Sequence, residues 1–208
     1  MPQQTDEVFE DPFFASLYDH FNAWDVCDDF YLELALQTAG SVLDLGCGTG
    51  LLACRMAQKG LAVTGADPAD GMLQVARSRA GAERVSWIKA EGQTLRLPRR
   101  FDLIYMTGHA FQALLTDDDA IAVLRTAHDH LTEDGRFAFE SRNPPGRRGC
   151  PGHQINEGSS RQQTTAGSRS FSMRRPTRIL GSSTSPITIG FWTPTRRSSA
   201  TAAYALSI

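Results

Sequence analysis

A short glycine-rich segment carries the first chemistry that the sequence suggests. Residues 44–50 read Asp-Leu-Gly-Cys-Gly-Thr-Gly, at the end of an apolar run. Glycine has no Cβ atom, so the backbone can turn sharply and a ligand can lie against it. In open α/β folds such a turn lies at the carboxyl edge of the sheet, where ligands bind. A lone glycine-rich turn is weakly specific, so the prediction of a nucleotide-like ligand depends on the residues further along the chain.

An acidic residue lies at the spacing that such a site requires. Asp67 comes after the next apolar run, about 20 residues further on, where a carboxylate accepts hydrogen bonds from both ribose hydroxyls. Two nucleotide-like ligands compete for the site. The dinucleotide pattern G-x-G-x-x-G would start at Gly46 and would need glycine at position 51, which is Leu51. The dinucleotide interpretation therefore fails by one residue.

A different pattern fits the same residues. With Asp44 two positions before Gly46, the segment reads D-x-G-x-G-x-G and resembles motif I of the class I S-adenosylmethionine-dependent methyltransferases. The resemblance covers roughly residues 10–145, and its further matches occur in the order that the family shows. It implies S-adenosyl-L-methionine as the cofactor and methyl transfer as the reaction.

The matches after the second and third strands assign roles around the adenosyl group. Asp67, followed by Pro68, resembles the acidic ribose ligand. Met72 lies where family members often pack an apolar side chain near the adenine. Residues 90–92 are similar to the segment that contacts the adenine, with Glu91 in the acidic position that reaches the exocyclic amine.

Two later matches complete the resemblance. Residues 107–109, Thr-Gly-His, come after the fourth strand, where the family places groups near the methyl donor and acceptor. Residues 131–137 closely resemble the L-x-x-x-G-x-F/L run that leads into the fifth strand. The predicted cofactor-binding residues are Asp44, Gly46, Cys47, Gly48, Gly50, Asp67, Pro68, Met72, Ala90, Glu91, Gly92, Thr107 and Tyr18.

Methyl transfer from a sulfonium needs few catalytic side chains. It is an in-line displacement, so the protein mainly holds the two reacting atoms at near-attack distance and excludes water. Where the nucleophile must lose a proton, His109 is the candidate base, because histidine titrates near neutrality. The alternative is that His109 caps or packs within a loop. Tyr18, His20 and Phe21 could close over the cofactor, since aromatic faces favour a sulfonium cation, or could be core residues of an N-terminal helix.

Three other polar features are interpreted as structural. Asp44 is predicted to orient the glycine-rich loop rather than to touch the methyl group. Cys47 is interpreted as a small residue whose backbone approaches the ligand, not as a redox group. The acidic run at residues 117–119 is predicted to be a solvated helix start, because a helix N-terminus attracts acids through its dipole. No metal site is predicted.

Positioning these residues requires a parallel sheet covered by helices on both faces. Short apolar runs alternate with amphipathic stretches, which is the pattern of βαβ units. We predict a Rossmann-like, doubly wound α/β fold with a mostly parallel sheet and a loop or short turn between the third and fourth strands. The predicted strands are Ser41–Leu45, Leu61–Ala66, Val85–Ala90, Phe101–Met106 and Arg136–Ser141. The predicted helices are Pro12–Phe21, Asp25–Thr38, Gly50–Gln58, Asp70–Arg79 and Asp117–Leu131, the last with a capping box from Thr116 to Asp119.

Three regions are predicted along the chain. Residues 1–40 form an N-terminal helical lid, residues 41–145 the S-adenosylmethionine-binding domain, and residues 146–208 a disordered tail. Residues 1–145 contain 22 Asp and Glu against 12 Lys and Arg, whereas the tail contains nine Arg against one acid. Charge asymmetry of this kind indicates different roles or origins.

The tail departs from the family pattern. The sixth and seventh strands that normally complete the sheet as an antiparallel pair are predicted to be missing. The abrupt change to Arg, Ser, Thr, Pro and Gly supports the hypothesis that the tail arises from a frameshift, which resequencing of the gene would test. The rival interpretation is a basic arm for nucleic acid, which the absence of Lys and of interleaved aromatic residues disfavours.

Composition narrows the partners and the function classes. A globular part this acidic is a poor nucleic-acid binder, which favours a small-molecule acceptor. The chain has no apolar run of membrane-spanning length and its cysteines show no metal or disulfide spacing, so we expect a soluble, cytoplasmic protein. Oligomeric state is not predicted. The sequence leaves open an active methyltransferase, a truncated domain that binds S-adenosylmethionine without turnover, and, less favoured, an NAD-dependent oxidoreductase.

Overall fold

Five parallel strands form the centre of the fold in a computed structural model that describes residues 7–142, 187–192 and 205–207. These strands are β1 Ser41–Leu45, β2 Ala62–Asp67, β3 Val85–Lys89, β4 Phe101–Met106 and β5 Leu131–Arg142. The α-helices are α1 Glu7–Glu10, α2 Pro12–Phe21, α3 Val26–Thr38, α4 Leu51–Gln58, α5 Asp70–Ser78 and α6 Asp117–His130. Short 3-10 helices at Ala82–Arg84 and Ala110–Ala113 precede β3 and follow β4.

Two further strands, β6 Ile187–Trp192 and β7 Ala205–Ser207, extend the sheet to the order β3-β2-β1-β4-β5-β6-β7. The chain runs outward from β1 to β3 on one side and then returns to β4 on the other. At this change of direction Leu43 of β1 pairs with Thr64 of β2 and with Ile104 of β4. Ligands of open α/β sheets bind at such a switch point, outside the carboxyl ends of the strands.

The core lies on both faces of the sheet because neighbouring strand residues point to opposite sides. On one face Val42 and Leu103 pack with Tyr31 of α3 and with the buried residues of α4. On the other face Leu43 and Ile104 pack with residues of α6. Both clusters are continuous layers of side chains that are almost fully removed from water. The strands therefore have the two-sided burial expected of a parallel sheet.

Side-chain caps define where the helices begin. Asp25 accepts from the Cys27 N–H at 2.7 Å while Asp28 accepts from the Asp25 N–H at 2.9 Å, a reciprocal capping box at the start of α3. Thr116 accepts from the Asp119 N–H at 3.1 Å, and Asp119 in return accepts from the Thr116 hydroxyl at 2.6 Å. The predicted capping box of α6 is therefore present in an altered form. The Asp119 carboxylate accepts from the Thr116 hydroxyl instead of the Thr116 N–H. None of the helices in the described ranges has the length and apolar character that a membrane crossing requires.

The predicted fold class is confirmed. β1, β4 and α2 have the predicted bounds, and the other predicted elements of residues 12–131 differ by one residue at one or both ends. The connection between β3 and β4 contains no helix, as predicted. β5 begins earlier than predicted, since Leu131 pairs with Phe101 before a register shift that precedes the pairing of Arg136 with Leu103.

The predicted absence of the sixth and seventh strands is wrong. β6 pairs antiparallel with β5, from Phe137 with Trp192 to Arg142 with Ile187, and β7 pairs antiparallel with β6. The physical reason is that β5 would otherwise end the sheet with unpaired backbone donors and acceptors, and a short β-branched segment of the tail pairs with them. The rest of the tail, on which the predictions of disorder and of a frameshift fall, lies outside the described residues.

Candidate functional site

The glycine-rich segment turns the chain from β1 into α4 at the carboxyl edge of the sheet. Gly46, Gly48 and Gly50 have φ angles of +84°, +51° and +72°, which glycine adopts without the strain of other residues. The N–H groups of Gly46 and Cys47 donate to the Ala66 carbonyl at 2.8 and 3.1 Å. These bonds fix the turn against the end of β2, beside Asp67.

Asp67 and Gly48 form the centre of the candidate site. The Gly48 N–H donates to Asp67 Oδ2 at 2.8 Å, and the Ala69 N–H donates to Asp67 Oδ1 at 2.9 Å. Asp67 is 7% exposed, and burial raises the pKa of its carboxyl although the two backbone bonds lower it. Each carboxylate oxygen keeps a further lone pair for a donor such as a hydroxyl. A Cβ atom on residue 48 would have no heavy atom within 4 Å, so the backbone there borders open space.

The other two glycines of the turn face protein. A Cβ atom on residue 50 would collide with the Trp87 ring and lie 3.0 Å from the Ala76 Cβ. A Cβ atom on residue 46 would lie 2.8 Å from the Ala110 Cβ. Gly46 and Gly50 are therefore small because neighbouring side chains pack against them. Among the three glycines, Gly48 is the one placed to meet a ligand.

Asp44 lies in β1 beneath the turn. The Tyr105 hydroxyl donates to Asp44 Oδ2 at 2.8 Å, whereas Asp44 Oδ1 has no hydrogen-bond partner within the described ranges. Burial raises the pKa of Asp44 to about 8, although the Tyr105 bond lowers it. The hydrogen bond found for Asp44 ties β1 to β4 and does not reach the backbone of the turn.

A polar network connects the N-terminal helices to the turn. Asp19 of α2 accepts from the Thr49 hydroxyl at 2.6 Å and forms an ion pair with Arg79. Arg79 Nε also donates to the Thr49 carbonyl at 3.0 Å. Sequence reasoning missed all three residues, because nothing in the local pattern shows that α2 returns to the turn 30 residues later.

Of the predicted aromatic lid residues, Tyr18 lies beside the loop after β4, since a Cβ atom on residue 108 would lie 3.5 Å from its hydroxyl. Its side chain is half-buried, and burial, followed by the charges of Glu140 and Asp19, raises its pKa. His20 is exposed and Phe21 is 84% exposed, so the structure does not bring them to the turn. Met72 is 4% exposed and packs with Ala15 of α2 and Ala69, which places it in the contact between α2 and α5.

The segment after β3 reaches the same edge of the sheet. The Ala90 N–H donates to the Asp67 carbonyl at 3.1 Å, so the ends of β2 and β3 are joined. The Glu91 carbonyl accepts from two later N–H groups and its side chain is half-buried. A Cβ atom on residue 92 would touch Leu45 at 3.4 Å. Ala90, Glu91, Gly92 and the half-buried Pro68 therefore line the edge next to Asp67.

The loop after β4 contains an unusual backbone conformation. His109 has a φ of +66°, the one positive value at a non-glycine residue in the described part of the chain. Its N–H donates to Glu140 Oε1 at 2.9 Å, and its Nδ1 lies 3.7 Å from the same oxygen. Thr107, half-buried, accepts from the Ala110 N–H at 3.0 Å. Backbone held in a sparsely populated region commonly marks functional loops.

Glu140 is a buried carboxylate that sequence reasoning missed. It lies near the carboxyl end of β5 and is 3% exposed. Burial raises its pKa, while the His109 and Gly108 N–H groups that it accepts from lower it. A signal was present in the sequence, since Glu140 is an acid that directly follows the apolar run 137–139 of β5, at the same sheet edge as Asp67.

The cysteines of the described residues are buried thiols. Cys27, Cys47 and Cys54 are all buried and unpaired, and Cys150 lies outside the described residues. Burial raises the pKa of Cys47 well above its ordinary value. Because the thiolate is the reactive form, this pKa direction disfavours a redox role for Cys47.

Comparison with known proteins identifies the class of this domain. Residues 42–135 match the family described as Methyltransferase domain. The ubiquinone biosynthesis O-methyltransferase of Pseudomonas aeruginosa (strain LESB58) is 36% identical over 119 residues, which is 54% of this chain and 49% of that protein. The chain thus carries a class I S-adenosylmethionine-dependent methyltransferase domain, and S-adenosyl-L-methionine is the cofactor of that class.

Solved structures show the same fold. The CcbJ methyltransferase of Streptomyces caelestis matches with a TM-score of 0.59 and 24% identity over 91% of this chain and 72% of that one. An S-adenosylmethionine-dependent methyltransferase from Clostridium acetobutylicum ATCC 824 matches with a TM-score of 0.55 and 18% identity over 94% of this chain and 78% of that one. The chain spans about half the length of the curated relatives that it matches.

Proposed function

We propose that this protein is an S-adenosyl-L-methionine-dependent methyltransferase that acts on a small-molecule acceptor. The observation that carries the proposal is the pairing of an open backbone at Gly48 with the buried carboxylate of Asp67. An adenosyl ligand needs both features, because its ribose hydroxyls donate to a carboxylate and its chain lies against backbone that has no side chain.

The residues present fit this cofactor. Burial raises the pKa of Asp67, so hydroxyl donors that stabilise its charge would bind favourably there. Gly48, Pro68 and the 90–92 segment would border the adenosyl group, and Glu91 would reach the adenine. Met72 would support this wall from within the contact between α2 and α5. When bound, the cofactor supplies an electrophilic methyl group on a sulfonium.

The chain's own residues would orient the acceptor and exclude water. The network of Asp19, Thr49 and Arg79 holds α2 against the turn, which keeps Tyr18 at the edge of the site. In this proposal His109 takes the proton that an acceptor loses, and the bond from its N–H to Glu140 fixes the loop that carries it. Electrostatic and positional effects of this kind account for most of the catalysis that a displacement needs.

Two observations support a small acceptor and turnover. The relative from Pseudomonas aeruginosa is named for ubiquinone biosynthesis, and residues 1–145 are too acidic to favour nucleic acid. The interpretation as a non-catalytic domain depended on two missing strands, and the sheet contains β6 and β7. Nothing in the described part of the chain favours an NAD-dependent oxidoreductase.

Calorimetric titration tests the proposal. S-adenosylhomocysteine and S-adenosylmethionine should bind with measurable heat and raise the unfolding temperature, since a ligand at 100 times its Kd stabilises by about 2.7 kcal/mol. NAD serves as the matched nucleotide control and should produce neither effect. Binding of NAD without binding of S-adenosylhomocysteine would refute the proposal.

A further inference from the structure

A cleft of about 410 Å³ lies between α3 and α4. One wall is a single face of α4, whose members are spaced three or four residues apart and are Leu51, Cys54, Arg55 and Gln58. The rest of the lining comes from Trp24, Asp29 and Leu32 around the start of α3 and from Arg79 and Ala80 after α5. Small-molecule sites have volumes of roughly 300–1,000 Å³, so the cleft is large enough to hold a ligand.

The cleft is distinct from the candidate cofactor site. Its lining contains neither Gly48 nor Asp67 nor any residue of the loop that carries His109. The two regions adjoin through Arg79, whose Nε donates to the Thr49 carbonyl at 3.0 Å. A molecule in the cleft would therefore be a second ligand, bound in addition to the cofactor.

The apolar part of the lining suits a flat ring. Trp24 and Leu32 are half-buried and pack against the core, and Cys54 is buried beside them. Trp24 Nε1 donates to Asp29 Oδ1 at 2.8 Å, which holds the indole ring in place. Aromatic rings stack with an offset or pack edge to face, so a fixed indole ring at the wall favours an aromatic ligand.

The charged part of the lining indicates an anionic group on that ligand. Asp29 accepts the Trp24 bond, and Arg79 forms an ion pair with Asp19. Arg55 is exposed and forms no ion pair within the described ranges. Its guanidinium is therefore the charged group of the lining that an incoming ligand can pair with. A guanidinium binds a carboxylate through two parallel N–H bonds and also stacks on aromatic faces.

We infer that the cleft is a second binding site, which takes a small aromatic carboxylate with its ring against Trp24 and its carboxylate on Arg55. The cleft provides both complements on neighbouring walls, an apolar surface with a held indole ring and a cation without an ion-pair partner in the described part of the chain. The site does not depend on the identity of the methyl acceptor.

An organic cation is the alternative ligand, because Asp29 also lines the cleft. One oxygen of that carboxylate already accepts the Trp24 N–H, and the Arg55 and Arg79 guanidinium groups lie on the same cleft. A cation would therefore meet two like charges and one partly occupied carboxylate. The balance favours an anion.

Three isosteric probes of different charge test the inference. 2-Naphthoate, 2-naphthalenemethanol and 2-naphthylmethylammonium are titrated into the full chain, and NMR follows the indole N–H signals of its three tryptophans. Trp24→Phe assigns the Trp24 signal. We expect 2-naphthoate to shift that signal in a saturable way and to bind about fivefold more tightly than the alcohol, the gain available from an exposed ion pair. The ammonium probe should bind most weakly.

Two arginine variants locate the carboxylate. Arg55→Gln should remove the preference for 2-naphthoate over the alcohol. Arg77→Gln is the matched control, because Arg77 is also an exposed arginine in the last turn of a helix but does not line the cleft. It should retain the preference. Saturating S-adenosylhomocysteine should leave the Kd of 2-naphthoate within about twofold, since the two sites share no lining residue.

Each other result overturns the inference. It fails if 2-naphthoate leaves the Trp24 signal unchanged, which would place any binding elsewhere, for instance on the exposed Phe13 and Phe21 side chains. It also fails if the alcohol or the ammonium probe binds as tightly, if Arg55→Gln retains the preference, or if S-adenosylhomocysteine displaces 2-naphthoate.

Two further readouts keep the test decisive. Should Arg55→Gln not fold, as judged by circular dichroism, the order of the three probes on wild-type protein and the response of the Trp24 signal decide the matter. Failure of S-adenosylhomocysteine to bind would contradict the proposed function alone, because the affinity of the cleft is measured without it.

Discussion

Acidic residues at the two ends of the parallel sheet have pKa values that are shifted in opposite directions. At the amino end, Asp102 accepts from the Gly40 and Ser41 N–H groups at 3.0 and 2.9 Å and from the Ser41 hydroxyl at 2.9 Å. Burial would raise the pKa of Asp102, but these bonds lower it overall. At the carboxyl end, burial raises the pKa of Asp44, Asp67 and Glu140.

The difference separates Asp102, whose charge stabilises the fold, from Asp67, which borders the open backbone at Gly48. Asp102 is ionised, satisfied and joined to the starts of β1 and β5, so its charge stabilises the folded state. The acids at the carboxyl end are held where their charge is incompletely stabilised. A site that must attract hydroxyl donors requires such groups, and their burial lowers the stability of the folded state.

Among the acids at the carboxyl end of the sheet, Asp44 should have the largest effect on the pH dependence of stability. Its folded pKa of about 8 exceeds the unfolded value of about 3.9. Between these two pH values the folded chain therefore binds more protons than the unfolded chain. The free energy of unfolding should then fall as pH rises through this window, by up to about 1.4 kcal/mol per pH unit and by about 3 kcal/mol or more in total. Urea unfolding of wild type and Asp44→Asn at several pH values measures the difference.

The Asp44→Asn variant is its own control, because its side chain has no carboxyl group that titrates. The stability of wild type relative to Asp44→Asn should be highest near pH 4 and should decline towards pH 8. A difference that is constant over this range would show that the Asp44 pKa is not raised in the folded protein.

Asp67→Asn should weaken ligand binding much more than it lowers the free energy of unfolding. The amide removes the charge that the ribose hydroxyls would contact, and charge-assisted hydrogen bonds are worth about 1.5–3 kcal/mol. We expect the Kd for S-adenosylhomocysteine to rise about 100-fold, or about 2.7 kcal/mol. The change in unfolding free energy should be smaller, because burial already disfavours the Asp67 charge. Calorimetry and urea unfolding on one preparation test both, and unchanged affinity would remove Asp67 from the site.

Alanine substitutions at Gly50 and Gly48 should distinguish a glycine required for packing from a glycine that borders the ligand. Gly50→Ala should destabilise by about 2 kcal/mol, because its Cβ meets Trp87 and Ala76 in addition to the cost of positive φ. Gly48→Ala has the same backbone cost without the collision and is the matched variant. It should lose about 1 kcal/mol of stability and weaken S-adenosylhomocysteine binding. If Gly48→Ala binds as wild type does, the open space beside it is not the ligand's.

The sequence predicted the local parts of this arrangement and missed the parts that depend on distant contacts. Period and composition were sufficient for β1 to β5 and for the glycine turn followed by Asp67, because each is a local pattern. They did not show that Trp87 packs against Gly50 or that Asp19 reaches Thr49, since these contacts join separate elements. β6 was missed because its pairing with β5 arises from an open sheet edge, not from the tail's composition.

Asp102→Asn should have the smallest effect and should act on stability alone. The amide retains one acceptor oxygen but loses the charge that the Gly40 and Ser41 N–H groups stabilise, so we expect a loss of about 1 kcal/mol. Because the folded pKa of Asp102 lies below the unfolded value of about 3.9, its contribution is complete above that pH and disappears as pH falls below it. Urea unfolding should therefore separate wild type from the variant at pH 7 and converge at low pH. S-adenosylhomocysteine affinity should not change, and a weakened affinity would mean that the amino end of the sheet also shapes the site.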